Sequence, residues 1–196
     1  MEVVVSAAVL LGMLGVLYLL LVAGMRLFQQ SRAYQGVQQE VLKAFARLNR
    51  DLNNSCREHL TFNGGSDPVL RFLSPERPAP QSGYEYALDS ARLRWWKWLS
   101  YSLDPGGLLV RAEVPLASGP IIELLPGPGP APALSIFRAQ VAPARSVVAR
   151  QIEQWSVVVP AATTGTYRLR LVAVEQTGSS INTRIALESQ VTVLNR

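Results

Sequence analysis

Few residues in this chain could do chemistry on their own. His59 is the only histidine and Cys56 the only cysteine among 196 residues, so one chain can build neither a disulfide nor a cysteine-rich zinc site. A lone imidazole and a lone thiol at the end of a helical pattern read as a surface or interface residue and a packed thiol. No serine sits in a nucleophile elbow, and Gly64-Gly65 and Gly106-Gly107 stand in turn-like contexts rather than in a phosphate-cradling loop. The expectation is therefore no catalytic residue, no metal ligand, no cofactor and no enzyme. Glu2 poses the sharpest chemical question, because it stands at the edge of Val3 to Met25, a stretch without a single charge. A carboxylate carried toward the bilayer interior costs about 2.5 to 3.5 kcal/mol on insertion scales, so such a group tends to have a partner.

The elements that must position Glu2 come next. A hydrocarbon core of about 30 Å needs ~20 apolar residues of helix, and Val3 to Met25 is long enough to span it once. Secretory signal peptides open with a basic region and end in a small-residue cleavage site. This stretch opens with an acid and continues as Arg26-Leu27-Phe28-Gln29-Gln30, which reads as a retained anchor. Apolar residues then recur at Leu27, Tyr34, Val37, Val41, Phe45, Leu48 and Leu52, mostly three and four apart, while Arg32, Gln35, Gln39, Lys43, Arg50 and Asn53 take the other face. Arg47 and Asp51, four apart, are spaced for a modest ion pair. The pattern predicts one helix of about 50 residues and roughly 75 Å, ending near Asn53-Asn54-Ser55. Its residues 1–25 form the transmembrane half and 26–55 an amphipathic half that packs on a globular domain.

Residues 56–196 read as one β-rich domain large enough to bury a core. Strands are expected at Val69 to Leu73, Tyr84 to Leu88, Ile121 to Leu125, Leu134 to Ala139 and Gln154 to Val159, with a short helix around Ala144 to Gln151. A hairpin places Trp95, Leu99, Tyr101 and Leu103 on one strand face and Leu108, Val110, Ala112 and Val114 on one face of the return strand, around Asp104-Pro105-Gly106-Gly107. The closing pair alternates through Tyr167, Leu169, Leu171 and Ala173, then Ile181, Ile185, Leu187, Val191 and Val193, around Gln176-Thr177-Gly178-Ser179. The Pro/Gly run at 126–132 is an exposed connector. The fold class is α+β, a long N-terminal helix packed on an antiparallel sheet.

Several of these segments carry a resemblance. Met1-Glu2-Val3-Val4-Val5-Ser6 resembles the second half of the type IV prepilin signature, in which a glutamate precedes an uninterrupted apolar helix. Arg47-Leu48-Asn49-Arg50-Asp51-Leu52, the run Trp96 to Asp104 followed by Leu109 to Glu113, and the closing Val191 to Arg196 are similar to segments of PilW-like minor pilins and of the J-type minor pseudopilin of type II secretion. The resemblance implies a non-enzymatic subunit that initiates or caps a pilus or pseudopilus. It implies inner-membrane insertion by a single pass and an extracytoplasmic, periplasmic domain. Partners would be other minor pilins or pseudopilins, the inner-membrane assembly platform and, for a precursor with a leader, prepilin peptidase. Glu2 would be the assembly glutamate, pairing with a neighbouring subunit's N-terminal amine, and Met1 would correspond to the fourth mature position. Gly12 and Gly15, with Gly24, would let sister helices approach closely. Arg26 and Arg32 follow the span and no basic residue precedes it, which by the positive-inside rule points the domain toward the cytoplasm; a basic leader would reverse this.

Two further surfaces each admit two readings. Alternation places Trp96 and Trp98 opposite Trp95, where they are a partner surface if that face is bare and core if a second layer covers it. The formal charge of +5 raises nucleic-acid binding, as in a DNA-binding competence pilin, through Arg168, Arg170 and Arg184. Their spread through strands favours a solvated sheet face instead. A single-pass envelope structural protein is the other alternative.

Overall fold

The computed structural model describes residues 2–65, 67–78, 80–81, 83–87, 92–122, 129–158, 166–177 and 181–193. Helix α1 spans Glu2–Asn53, 52 residues without a break, and a single 3-10 turn at Arg57–His59 leads into the β region. Eight strands follow: β1 (Thr61–Asn63), β2 (Val69–Ser74), β3 (Lys97–Asp104), β4 (Leu108–Pro115), β5 (Arg145–Ala149), β6 (Ile152–Val158), β7 (Thr166–Thr177) and β8 (Ile181–Thr192). They form two antiparallel sheets, β1-β2-β3-β4-β5 and β6-β7-β8, so the α+β class read from the pattern is the observed one.

The C-terminal part of α1 is the centre of the main core. Val37, Val41, Ala44, Phe45, Leu48 and Leu52 meet Leu70, Phe72, Leu99, Tyr101 and Leu109 of the first sheet, and Trp155, Leu169, Leu171, Ile185 and Val191 of the second. Full burial of a Val, Leu or Phe side chain contributes about 1.5 to 3 kcal/mol, so this stripe is what holds helix and sheets together. Burial begins at Ala33. Leu27 and Tyr34, expected on the packed face, are instead 67% and 50% exposed: Leu27 precedes the point where burial begins, and at Tyr34 the buried face runs through Ala33 and Val37 instead.

Side-chain alternation in the first sheet supplies a second core on its far face, where Leu73, Trp98 and Ala112 pack with Cys56, Trp95, Leu116 and Phe137. Part of its cover is α2 (Leu134–Arg138), which corrects the strand expected at Leu134 to Ala139. It packs against β4 and buries only Phe137. Conversely the expected helix around Ala144 to Gln151 is strand β5, whose β-branched Val147 pairs with Val110 of β4. Tyr84 and Tyr86 make only isolated bridges, to Glu76 and Leu93, and Leu88 lies outside the described residues. Ile121 likewise makes a single bridge to Trp95, and 123–125 lie outside the description, as do Val159, part of the 126–132 loop and part of the turn at 176–179.

The two sheets meet at a tight corner. Only Arg150-Gln151 separates β5 from β6, and Gln151 has φ 61°. The corner is tied on both sides, by Ile152 N–H to the Gly107 carbonyl at 2.9 Å and Val174 N–H to the Gln151 carbonyl at 2.8 Å. Gly107 has φ 73°, and a Cβ there would lie 3.0 Å from the Ile152 carbonyl oxygen. The Asp104 to Gly107 turn therefore needs glycine for backbone freedom and for clearance at once.

Candidate assembly surface and buried ion network

The N-terminal half of α1 is bare. The most apolar 18-residue window of the helix has mean hydropathy 2.6 and none of it is buried, so α1 is long and apolar enough to cross a membrane. Glu2 is exposed at its start, and Ser6 Oγ donates to the Glu2 carbonyl at 2.9 Å. Beyond the helix's own nearby backbone, no described atom lies within 4 Å of where a Cβ would stand on Gly12, Gly15 or Gly24. Glu2, Gly12 and Gly15 thus share one exposed helical segment that is not buried by any other described part of the chain. Such a surface can do two things: dissolve in lipid, or receive another helix where the missing Cβ atoms allow close contact.

At its other end α1 enters a buried set of charges that the pattern did not anticipate. Asp51 is 6% exposed, and its Oδ2 accepts from Tyr101 Oη at 2.7 Å and from Arg111 Nε at 2.7 Å. Arg111 also donates Nη1 to Glu113 Oε2 at 3.2 Å and Nη2 to Glu76 Oε2 at 3.1 Å. Lys97, 1% exposed, donates Nζ to Glu113 Oε2 at 2.6 Å and to the Arg77 carbonyl at 2.9 Å, and lies 3.3 Å from Glu76. The Arg47–Asp51 pair expected from the spacing exists at 3.6 Å, but it is the outermost member of this set. Three carboxylates therefore face three cations between the end of α1 and the first sheet. Burial raises the Tyr101 hydroxyl well above its usual range and the Asp51 carboxylate raises it further. Burial works against the charge of Arg111, and Asp51, Tyr101 and Glu113 together outweigh it, so the guanidinium is held charged. A signal was present in the sequence: Val37, Ala44 and Asp51 are spaced by seven, which puts an acid in the phase of the buried stripe.

Trp98 and Trp96 separate. Trp98 is 4% exposed in the second core with its ring edge-on to His59, so it is not a partner surface. Trp95 packs in that same cluster, not with Leu99 and Tyr101, because it precedes β3 and bridges Ile121 instead of continuing the strand's alternation. Trp96 is half-buried under the guanidinium of Arg77, 5.5 Å from its ring centre. Cys56 is free and buried, and burial raises its thiol pKa, which makes it a packed and poorly nucleophilic group.

Arg168 and Arg170 share the outer face of the second sheet, opposite Gln190 and Glu188. Arg184 stands opposite Val174, four residues along the strand from Arg170. Arg170 lies 3.8 Å from Glu188, and Arg184 3.1 Å from Glu153. Two of the three arginines, Arg170 and Arg184, thus stand beside acids on a solvated face. Among the described residues no group of three His, Cys, Asp or Glu side chains is placed to hold a metal ion.

No family model matches the chain, and neither the curated proteins nor the solved structures include one that matches it.

Proposed function

We propose that this chain is a membrane-anchored, pilin-like subunit, a non-enzymatic minor pilin or pseudopilin that helps initiate or cap a type IV pilus or a type II secretion pseudopilus. The observation that carries the reading is α1 itself. One unbroken helix has a bare, uncharged, apolar first half and a second half that is the core of a β domain. That division suits a subunit held in a bilayer by the same surface with which it later packs on sister helices. In this reading Glu2 pairs with the N-terminal amine of a neighbour, and Gly12 and Gly15 set the closeness of helix packing. The domain stands on the periplasmic side of the bacterial inner membrane. Its partners are other minor pilins or pseudopilins and the inner-membrane assembly platform, with prepilin peptidase acting on a leader-bearing precursor. The acids beside Arg170 and Arg184 weigh against a nucleic-acid-binding pilin.

The test is mass spectrometry of the N-terminus of the protein purified from its own cells. A mature chain that begins three residues upstream of Met1 with a methylated amine supports the reading and makes Glu2 the assembly glutamate. A native start at formyl-Met1 or Met1 identifies a plain single-pass envelope anchor and removes prepilin processing.

A further inference from the structure

We propose that Asp51, through Arg111 and Tyr101, is a register pin that fixes where along its length α1 sits on the first sheet. It thereby fixes how far, and in which direction, the bare half of the helix projects from the domain. The axial consequence bears on assembly only if the proposed function holds; the pin itself does not depend on it.

The apolar stripe alone separates registers by side-chain size and not by polarity. If α1 slid by four residues, the sites of Val37, Val41, Phe45, Leu48 and Leu52 would be taken by Ala33, Val37, Val41, Ala44 and Leu48. Every one of these is apolar. Such a slip rotates the helix by only about 40° and moves it by about 6 Å, so the same face still meets the sheets. The hydrophobic effect is non-directional and scales with area, so it penalises this state only through poorer filling of space.

Asp51 is not interchangeable in this way. A slip in that sense brings Arg47 to its place, against the guanidinium of Arg111, and leaves the Tyr101 hydroxyl facing a cation. The opposite slip brings Ser55 there and leaves Arg111 without the acid it holds at 2.7 Å. Buried ion pairs are weak contributors to stability compared with hydrocarbon of the same volume, and their best-attested use is to select one register among near-equivalent ones. Glu40 is a second polar obstacle, since the first slip would bury it at the site of Ala44; at present it accepts from the Arg150 N–H at 3.1 Å. That contact also marks the native register: position 40 lies beside Arg150.

Cross-linking of the full chain in detergent micelles, with a short thiol-specific reagent, reads the register. All variants carry Cys56→Ala, and Glu40→Ala wherever position 40 is not the reporter. Glu40→Cys with Arg150→Cys reports the native register, and Gly36→Cys with Arg150→Cys reports the four-residue slip. With Asp51 present, only the first pair should link. Moving the acid one turn along the helix, by Arg47→Asp with Asp51→Leu, should transfer most of the linking to the second pair. In the variant Asp51→Leu/Arg111→Met/Glu113→Gln, which leaves Lys97 and Glu76 to each other, the second pair should link to a measurable extent beside the first.

Linking confined to the native pair in both of these variants overturns the proposal and assigns the register to apolar packing alone. If the transplanted acid fails to fold, the apolar replacement still decides between the two. If both fail, Asp51→Leu is read by whether the native pair keeps its full yield, which the pin forbids. Filament assembly plays no part in the readout, so a negative result on prepilin processing leaves this result standing.

Discussion

At the residue scale the molecule's distinctive feature is charge held inside an otherwise apolar interface. Asp51→Ala leaves Arg111 and the Tyr101 hydroxyl short of a buried partner, which costs about 3 to 5 kcal/mol. Chemical denaturation in micelles should show that loss, with Asp51→Asn intermediate because it keeps an acceptor. Titration gives a second expectation. Tyr101 and Tyr167 are raised from 10.0 and Cys56 from 9.0, each chiefly by burial. Each therefore keeps its proton in the folded chain at a pH where the unfolded chain has released it. The stability they contribute is complete below these values and declines as pH rises through them. Thermal melting should accordingly hold level through neutral pH and fall steadily from about pH 9 upward. Tyr101→Phe should flatten part of that fall while lowering stability at neutral pH through loss of the bond to Asp51. Little of this was legible beforehand. Spacing identified Arg47 as a partner of Asp51, but Arg111 and Tyr101 are sixty and fifty positions away, and only the sheet brings them together.

At the element scale the long periodic patterns were read well and the short ones poorly. The helix boundary, the Asp104 to Gly107 hairpin and the alternating pair β7-β8 follow the pattern, because each extends over enough residues for one face to be unmistakably apolar. Leu134 to Ala139 and Ala144 to Gln151 were exchanged. Each is a short stretch with mixed propensity whose state is decided by whether an edge of β4 is within reach. Trp95 was assigned to the wrong face because a period of two was continued past the first residue of β3. The corner between the sheets had no periodic signal at all, and it makes a sharp comparison possible. Gly106 and Gly107 both have positive φ, but a Cβ at Gly106 meets nothing within 4 Å while one at Gly107 meets the Ile152 backbone. Gly106→Ala should lose about 1 kcal/mol from backbone strain, and Gly107→Ala clearly more, measured by the shift in denaturation midpoint.

At the scale of the whole molecule, two halves of one helix serve different environments. Since the apolar window of α1 contributes nothing to the domain's core, removal of residues 2–25 should leave the melting of the β domain unchanged while abolishing retention in membranes. Fractionation and calorimetry on the shortened chain check both parts. Likewise Gly12→Leu with Gly15→Leu should leave the domain's stability within about 0.5 kcal/mol of the parent, since neither position touches it, and the proposed function adds that it should lower recovery in filaments. The division between an apolar run and a polar-faced continuation was visible in the sequence. The point at which the domain takes hold of the helix was not, because Leu27 and Tyr34 fit the stripe's phase as well as Val37 does.

The order of elements along the chain has a consequence in time. Each sheet is contiguous in sequence, and the second one, β6 to β8, is made after the first. It supplies the cover for one flank of α1 through Trp155, Leu169, Leu171, Ile185 and Val191. While synthesis is under way the helix can rest on the first sheet along one side only, with its other side open to any apolar surface nearby. A chain that stops before β8 is an unfinished clasp: its helix is already made, and its core is still waiting to close.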